Sequence, residues 1–268
     1  MNTDHRPFLS EWFHYRTLSE DELQSYAETG YLHYGPALTD RGLEQMRKEC
    51  MLQWQAEKGA YDPQGSWLQN ALLTNIHHQS ALARQYYFSG PLVDVATQVI
   101  GPNIKAATSQ LTFKMRGNTQ TFAWHQDNAY GELSPYNAIS CLTALDDTDQ
   151  TNGCLWLISG SHHEGQVVDQ RTDIQKVNRT SIELNVDEKM AIPMELSAGE
   201  CLFFHCHMLH KSDGNFAPDR DRRILFLRYS DADAIEVYEN GQPRLGRLLR
   251  GSTQHAAVIR YESELPLI

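Results

Sequence analysis

The spacing of apolar residues changes near residue 103. Before it, apolar positions recur every three to four residues, as in Leu43, Met46, Cys50 and Trp54, which is typical of an amphipathic helix. Ser19 opens an S-x-x-E capping box. We expect helices at 20–29 and 40–58, near 80–88, and from Pro91 to Gly101, with a short strand at 31–34. The segment 60–79 is polar and rich in turn residues.

After residue 103, short runs rich in Thr, Val, Ile and Phe alternate with turn residues. They predict strands at 105–115, 121–125, 138–145, 154–158, 180–185, 190–195, 200–206 and 222–230. Strands of this length and spacing indicate a sandwich or a jelly roll. We therefore expect a mainly β fold with flanking helices in one domain over 1–268: a mostly helical buttress at 1–103, a β core at 104–231 and a C-terminal extension at 232–268. The polar stretch 159–179 is long for a hairpin and is a candidate lid.

The charge balance narrows the list of partners. Lys and Arg number 23 and Asp and Glu number 34, a net charge of −11. This acidic excess argues against nucleic acid and anionic membranes, which attract basic surfaces. No apolar run approaches a transmembrane span, and no signal peptide is evident. The five cysteines form no CxxC pair, so we expect reduced thiols in a cytoplasmic protein.

Candidate metal ligands stand out among the twelve histidines. His125 and Asp127 are two apart on a predicted strand and so share a face. An isolated H-x-D is weak, because about one is expected by chance at average composition. The segment 199–212 supplies three more histidines, at 205, 207 and 210. Two histidines and one carboxylate match the facial triad of non-haem Fe(II) oxygenases, although zinc stays open at this point.

Five motifs in order resemble the phytanoyl-CoA dioxygenase family of Fe(II)/2-oxoglutarate-dependent oxygenases. They are Phe113-Lys114, Trp124-His125-Gln126-Asp127-Asn128, Asn152-Gly153-Cys154-Leu155-Trp156 with Ser159-Gly160-Ser161-His162, Leu209-His210-Lys211-Ser212-Asp213-Gly214-Asn215, and Arg222-Arg223-Ile224. Each motif is common, but the ordered set across residues 104–230 is specific. Two departures are Ser159 in place of the usual proline and a gap before Arg222 that is one residue longer than usual.

The resemblance implies a fold, ligands and cofactors. The fold would be a double-stranded β-helix, also called a jelly roll and similar to cupins. His125, Asp127 and His210 would bind Fe(II), and Arg222, with Arg223 as the alternative, would bind 2-oxoglutarate. Gln110 and Thr112 are candidates for the cosubstrate pocket, since they share a strand face. Candidate substrate contacts are Asn128, Tyr130, Arg116 and His162. His205 and His207 are read as structural.

The implied reaction is hydroxylation of an unactivated C–H bond, with dioxygen consumed and succinate and CO2 released. A carboxylate at Asp127 favours hydroxylation, desaturation or cyclisation over halogenation, because related halogenases lack it. The expected substrate is a small polar metabolite or a natural-product intermediate, bound by a monomer or homodimer. The alternatives are a zinc hydrolase that uses the same ligands and a non-catalytic cupin-like binding or sensing protein.

Overall fold

The computed structural model describes residues 11–127, 133–135, 137–165, 186–236 and 241–266. Seven α-helices occur in these ranges: α1 Glu20–Thr29, α2 Asp40–Glu57, α3 Trp67–Ala71, α4 Ile76–Gln79, α5 Ala81–Ser89, α6 Pro91–Ile100 and α7 Ala256–Arg260. The capping box predicted at Ser19 is present, and α1 ends at Gly30, which adopts a positive φ of 81°. That left-handed conformation favours glycine because it has no Cβ.

Fourteen strands occur in the same ranges, and most belong to the β core. They are β1 Tyr31–Pro36, β2 Leu72–Thr74, β3 Ile104–Lys114, β4 Phe122–His125, β5 Leu133–Ser134, β6 Ala138–Ala144, β7 Leu155–Ile158, β8 Ala191–Met194, β9 Glu200–His205, β10 His210–Ser212, β11 Arg222–Asp231, β12 Ile235–Glu236, β13 Gln242–Pro243 and β14 Leu248–Arg250. Two 3₁₀ turns lie at Ser161–Glu164 and Glu188–Met190.

Two antiparallel sheets face each other. The large sheet has the order β1-β9-β6-β11-β3-β14, with β2 also paired to β3, and the small sheet has the order β4-β10-β7-β8. Strands that are far apart in the sequence are often neighbours in a sheet; β11, for example, lies between β3 and β6. Such crossovers between two sheets define a jelly roll. The predicted fold class, mainly β with flanking helices, is confirmed.

The large sheet has a different core on each face. On one face, helices α2, α5 and α6 supply Trp54, Tyr86, Phe88 and Leu92 to a continuous apolar core that includes Leu225 of β11. On the other face, a smaller cluster fills part of the space between the sheets; its members include Leu142, Leu157, Phe204 and Ile224. We call this space the lumen. The strand period of two therefore places alternate residues of β11 in the helix-side core and in the lumen.

The polar, turn-rich segment 60–79 also contains short regular elements: Ser66 caps α3, strand β2 follows and α4 ends the segment. These elements are too short for hydrophobic periodicity to reveal. The predicted strand at 180–185 lies outside the described residues, as does the candidate lid beyond Gly165. Both flanks of the β core add strands to the large sheet, β1 and β2 before it and β14 after it.

Candidate metal centre and cosubstrate pocket

His125, Asp127 and His210 converge at one end of the small sheet. His125 ends β4 and lies opposite His210 of β10 in the strand register, with the ring centroids 4.1 Å apart. Asp127 follows β4 by two residues and brings its Oδ1 atom to 3.4 Å from the Nε2 of His210 and 3.9 Å from the Nε2 of His125. These three ligand atoms lie within 4.8 Å of one another. One ion can therefore contact all three.

Backbone carbonyls fix both imidazole rings. The Nδ1 of His125 lies 2.7 Å from the carbonyl oxygen of Ala123. The Nδ1 of His210 lies 2.9 Å from the carbonyl oxygen of Met208. Because a carbonyl oxygen only accepts, each Nδ1 must carry the proton, which leaves a lone pair on each Nε2. The two Nε2 atoms facing one carboxylate form a donor set that suits Fe(II).

The surroundings keep His125 and Asp127 in the protonation states of metal ligands. Burial, followed by the neighbouring His210, lowers the pKa of His125 to about 4. For Asp127, burial would raise the pKa, but His210, Arg228 and His125 together hold it well below its usual range. The Ser140 hydroxyl also donates to the Oδ2 of Asp127. Near neutral pH, the site therefore offers a neutral His125 imidazole and a carboxylate, as metal binding requires.

Two buried cations lie side by side further along the lumen. Arg222 opens β11 and pairs in register with Lys114 of β3, and both residues are almost fully buried. The Nζ of Lys114 and the Nη2 of Arg222 donate to the Ser212 hydroxyl at 2.9 and 3.3 Å. Ser212 is two residues from His210. The cation pair therefore lies near the triad, in the same enclosed space.

The cation pair has no anionic partner among the described residues. The Nε of Arg222 is buried without a hydrogen bond there. Burial lowers the pKa of Arg222 to about 10, and burial together with the Arg222 charge lowers the pKa of Lys114 well below its usual value. Two like charges out of water are costly unless an anion joins them. The Nζ of Lys114 also donates to the backbone carbonyls of Ser212 and Asp213, so Arg222 is the member of the pair with an open donor.

Arg223 is on the other face of β11 and is already paired. Its Nε and Nη2 donate to the two Asp146 carboxylate oxygens at 2.7 and 2.5 Å. Its backbone N–H also donates to Asp146. A guanidinium that is bound in this bidentate way has little capacity left for a ligand. Of the two adjacent arginines, Arg222 is the one directed into the lumen.

The predicted pocket residues Gln110 and Thr112 line the lumen. They pair in register with Phe226 and Ile224 of β11, and the intervening Leu111 belongs to the helix-side core. The strand period of two thus places Gln110 and Thr112 on the lumen face. Their assignment to the cosubstrate pocket stays a prediction.

Two of the four predicted substrate contacts, Arg116 and His162, are described, and they lie apart from each other. Arg116 lies in a surface depression of about 450 Å³ that Trp54, Tyr61 and Asp221 also line, and its Nε is 3.7 Å from the Asp221 carboxylate. His162 packs against Gly30, and its Nε2 lies 3.1 Å from the carbonyl oxygen of Ala27. The structure brings neither into the triad. Asn128 and Tyr130 are outside the described residues.

His205 and His207 are not part of the triad. The backbone N–H of His207 donates to the Nδ1 of His205 at 3.1 Å. The ring of His205 lies against those of His207 and His162, at 5.5 and 5.3 Å between centroids. The structural reading of these two histidines fits this packing.

Sequence reasoning missed four polar residues of the lumen. Lys114 and Ser212 stand inside recognised motifs, and Arg228 shares the face of Arg222, so motif position and strand parity could have pointed to them. Ser140 interrupts an apolar run, Ala138–Ala144, in which every residue is buried. Nothing in that run indicates that its hydroxyl reaches Asp127.

A jelly roll whose lumen combines a two-histidine, one-carboxylate site with buried cations has the architecture of non-haem Fe(II) oxygenases. Comparisons with known proteins agree with this class. The model of the phytanoyl-CoA dioxygenase (PhyH) family matches residues 26–224. The chain therefore belongs to the phytanoyl-CoA dioxygenase family of Fe(II)/2-oxoglutarate-dependent oxygenases, as the sequence motifs predicted. The cofactors of this class are Fe(II), 2-oxoglutarate and dioxygen.

The relatives are distant. The chain is 26% identical over 161 residues to phytanoyl-CoA dioxygenase 1 of Oryza sativa, covering 60% of this chain and 57% of that protein. It is 24% identical over 239 residues to ectoine dioxygenase of Bordetella bronchiseptica, covering 81% of this chain and 76% of that protein. Among solved structures, the non-heme monooxygenase ThoJ in its apo form superposes with a TM-score of 0.69 at 24% identity, covering 87% of this chain and 84% of that one.

The superposition on ThoJ establishes the shared fold. The rice relative is matched over little more than half of its length. In the part of the chain that the structure describes, no helix is long and apolar enough to cross a membrane.

Proposed function

We propose that the protein hydroxylates an unactivated C–H bond of a small polar metabolite or natural-product intermediate, converting 2-oxoglutarate and dioxygen to succinate and CO2. The observation that carries this proposal is the placement of the triad and the Arg222–Lys114 pair in one lumen, with Ser212 contacting both cations. A ligand that chelates a metal at one end and carries a carboxylate at the other fits both sites.

Each side chain has a role in this proposal. His125, Asp127 and His210 hold Fe(II), which with 2-oxoglutarate supplies the oxidising chemistry when bound. The planar guanidinium of Arg222 binds the distal carboxylate of 2-oxoglutarate through parallel hydrogen bonds. Lys114 adds a second positive charge, and Ser212 holds both cations in place. We assign the anchor to Arg222 because Asp146 already binds Arg223.

The lumen also limits water. The side chains of His210, Asp127 and His125 are 4, 11 and 22% exposed, so only His125 has appreciable contact with solvent. The apolar side chains of Leu157, Phe204 and Ile224 occupy the adjacent space. A dry pocket of this kind directs the oxidant toward the bound substrate and away from side reactions.

Anaerobic reconstitution with Fe(II) and 2-oxoglutarate tests this function. We expect a metal-to-ligand charge-transfer absorption in the wild type and, after oxygen is admitted, succinate formation that depends on one compound of a metabolite panel. Arg222→Gln should weaken the 2-oxoglutarate-dependent absorption, whereas a surface variant, Arg220→Gln, should retain it. Absence of both the absorption and succinate in the wild type would refute the proposal.

A further inference from the structure

A second arginine of β11 faces the lumen on the other side of the triad. Arg228 follows Arg222 by six residues on the same strand face, a separation of about 20 Å along an extended strand. It pairs in register with Thr108 of β3 and Ser140 of β6. Its Nη1 donates to the backbone carbonyl oxygen of Asp127 at 3.2 Å. Arg222 lies beside Ser212, two residues beyond His210, and Arg228 lies beside Asp127. The triad is therefore between the two arginines.

The hydrogen-bonding edge of Arg228 is open. Its Nε and Nη2 atoms are both shielded from solvent, and neither has a hydrogen-bond partner in the described ranges. These two atoms lie on one edge of the guanidinium and present two parallel N–H groups, the fork that matches a planar oxyanion. Buried donors without a partner are costly, and a ligand is one of the accepted explanations for them.

The nearest acid does not satisfy this edge. The Oδ1 of Asp127 faces His125 and His210, and its Oδ2 accepts from Ser140. Arg228 meets only the backbone carbonyl of that residue. The contact holds the guanidinium against the backbone of a triad residue and leaves its Nε–Nη2 edge free. A group held there would sit beside the reacting centre, on the side away from the cosubstrate anchor.

We propose that Arg228 binds an oxyanion, a carboxylate or a phosphonate, of the primary substrate. This inference rests on the proposed function and adds to it a substrate class: a small anion whose charged group lies close to the carbon that reacts. The Nε and Nη2 of Arg228 hold two oxygens of that group, and Arg222 holds the 2-oxoglutarate carboxylate. The net charge of −11 does not oppose this, because the lumen itself is cationic.

A binding experiment with matched probes tests the proposal directly. Wild-type protein and Arg228→Gln, each held anaerobically with Fe(II) and 2-oxoglutarate, are titrated by calorimetry with acetate, methylphosphonate and neutral acetamide. We expect at least one anion to bind the wild type and acetamide to bind neither protein. The affinity for that anion should fall about tenfold or more in the variant, because a charged hydrogen bond is lost. Equal anion affinities in the two proteins, or no anion binding to the wild type, would overturn the proposal.

A second arm separates the two possible sources of the carboxylate. If Arg228 instead bound the carboxylate of 2-oxoglutarate that lies next to the metal, Arg228→Gln would weaken the 2-oxoglutarate charge-transfer titration tenfold or more. We expect a change of less than about threefold, whereas Arg222→Gln should lose most of the affinity. A tenfold loss in the Arg228 variant overturns the assignment to substrate.

The same titrations distinguish this inference from the proposed function. A wild type with no iron–2-oxoglutarate absorption would refute the oxygenase function itself. A wild type with that absorption, whose anion binding is unaffected by Arg228→Gln, would refute only the role of Arg228. Retention of the absorption and of the melting temperature by the variant shows that it folds, and Arg228→Lys tests whether charge without the fork is enough. We expect Arg228→Lys to recover only part of the anion affinity.

Discussion

The two faces of the large sheet are built from the same strands but have opposite chemistry. On the helix side, two buried tyrosines of the apolar core have paired hydroxyls: that of Tyr86 lies 2.9 Å from the Thr143 hydroxyl, and that of Tyr229 donates to the carbonyl of Tyr87. On the lumen side, Arg222 and Arg228 keep buried nitrogens without partners in the described ranges. The buried residues of the helix-side face stabilise the fold, whereas the lumen face carries buried charges with open hydrogen-bond donors.

This contrast predicts that lumen variants lose activity while the fold persists, and that helix-side variants do the reverse. The largest effect is expected for Asp127→Ala. Removing one of three ligands should lower Fe(II) affinity by more than about 100-fold, beyond the usual cost of losing an outer partner, and should abolish hydroxylation. Metal titration and succinate formation measure this loss. An active, iron-replete variant would disprove the triad assignment, and Asp219→Ala on the surface is the control.

Leu225→Ala tests the helix side of the same strand. Leu225 is fully buried in the helix-side core, so the cavity left by truncation should cost about 2–5 kcal/mol of folding free energy. Urea unfolding followed by circular dichroism measures the change. The folded fraction should bind 2-oxoglutarate within about twofold of the wild type. A large loss of cosubstrate affinity without destabilisation would break the division between the two faces.

Lys114→Met sharpens the contrast inside the lumen. The change keeps the volume but removes a buried cation that faces Arg222. Relief of the repulsion with Arg222 opposes the loss of the hydrogen bonds to Ser212 and Asp213, so folding stability should change little. The Nζ of Lys114 already donates to Ser212 and to the carbonyl oxygen of Asp213. The affinity for 2-oxoglutarate should therefore fall through the lost positive charge beside Arg222, by roughly tenfold. Parallel melting and charge-transfer titrations separate the two effects. A strongly destabilised variant would show that Lys114 supports the fold instead.

Ser140→Ala should have a smaller effect. The lost hydroxyl donates to the Oδ2 of Asp127, and partners of metal ligands usually contribute about tenfold in metal affinity. We expect metal affinity to fall by this factor, as measured by competition with a chelator, with little change in the melting temperature. Thr108→Ala, at the matching register position on β3, is the control. Unchanged metal affinity would mean that Asp127 is positioned without Ser140.

The smallest effect is a pH dependence of stability. Burial, followed by His207, His162 and His163, lowers the pKa of His205 from 6.5 to about 4. As pH falls from about 6.5 to 4, the unfolded chain takes up a proton that the folded protein does not. Stability is therefore complete above pH 6.5 and declines through that window. Urea midpoints at pH 7 and 5 should differ less in His205→Gln than in the wild type. If the two urea midpoints differed equally in the wild type and in the variant, His205 would not be the group responsible for the pH dependence.

Local sequence patterns predicted much of the fold and the triad. The strand period of two identified the lumen face of β11. The H-x-D pair, together with the L-H-x-S motif of the family resemblance, identified three side chains that meet in space. Long-range pairing was beyond such patterns: nothing near Tyr31 or Leu248 indicates that β1 joins β9 or that β14 joins β3. Ser140 stayed hidden because a buried polar residue in an apolar strand looks like part of the core.

The strands from outside the β core close the large sheet. β1 covers the outer side of β9, and β14 and β2 cover the outer side of β3. A fragment reduced to residues 104–231 would expose the backbone N–H and C=O groups at the outer edges of β3 and β9. Open edges of this kind recruit other chains. Such a fragment is therefore expected to aggregate even though it retains every ligand of the triad, and the flanks protect the oxygenase core against self-association.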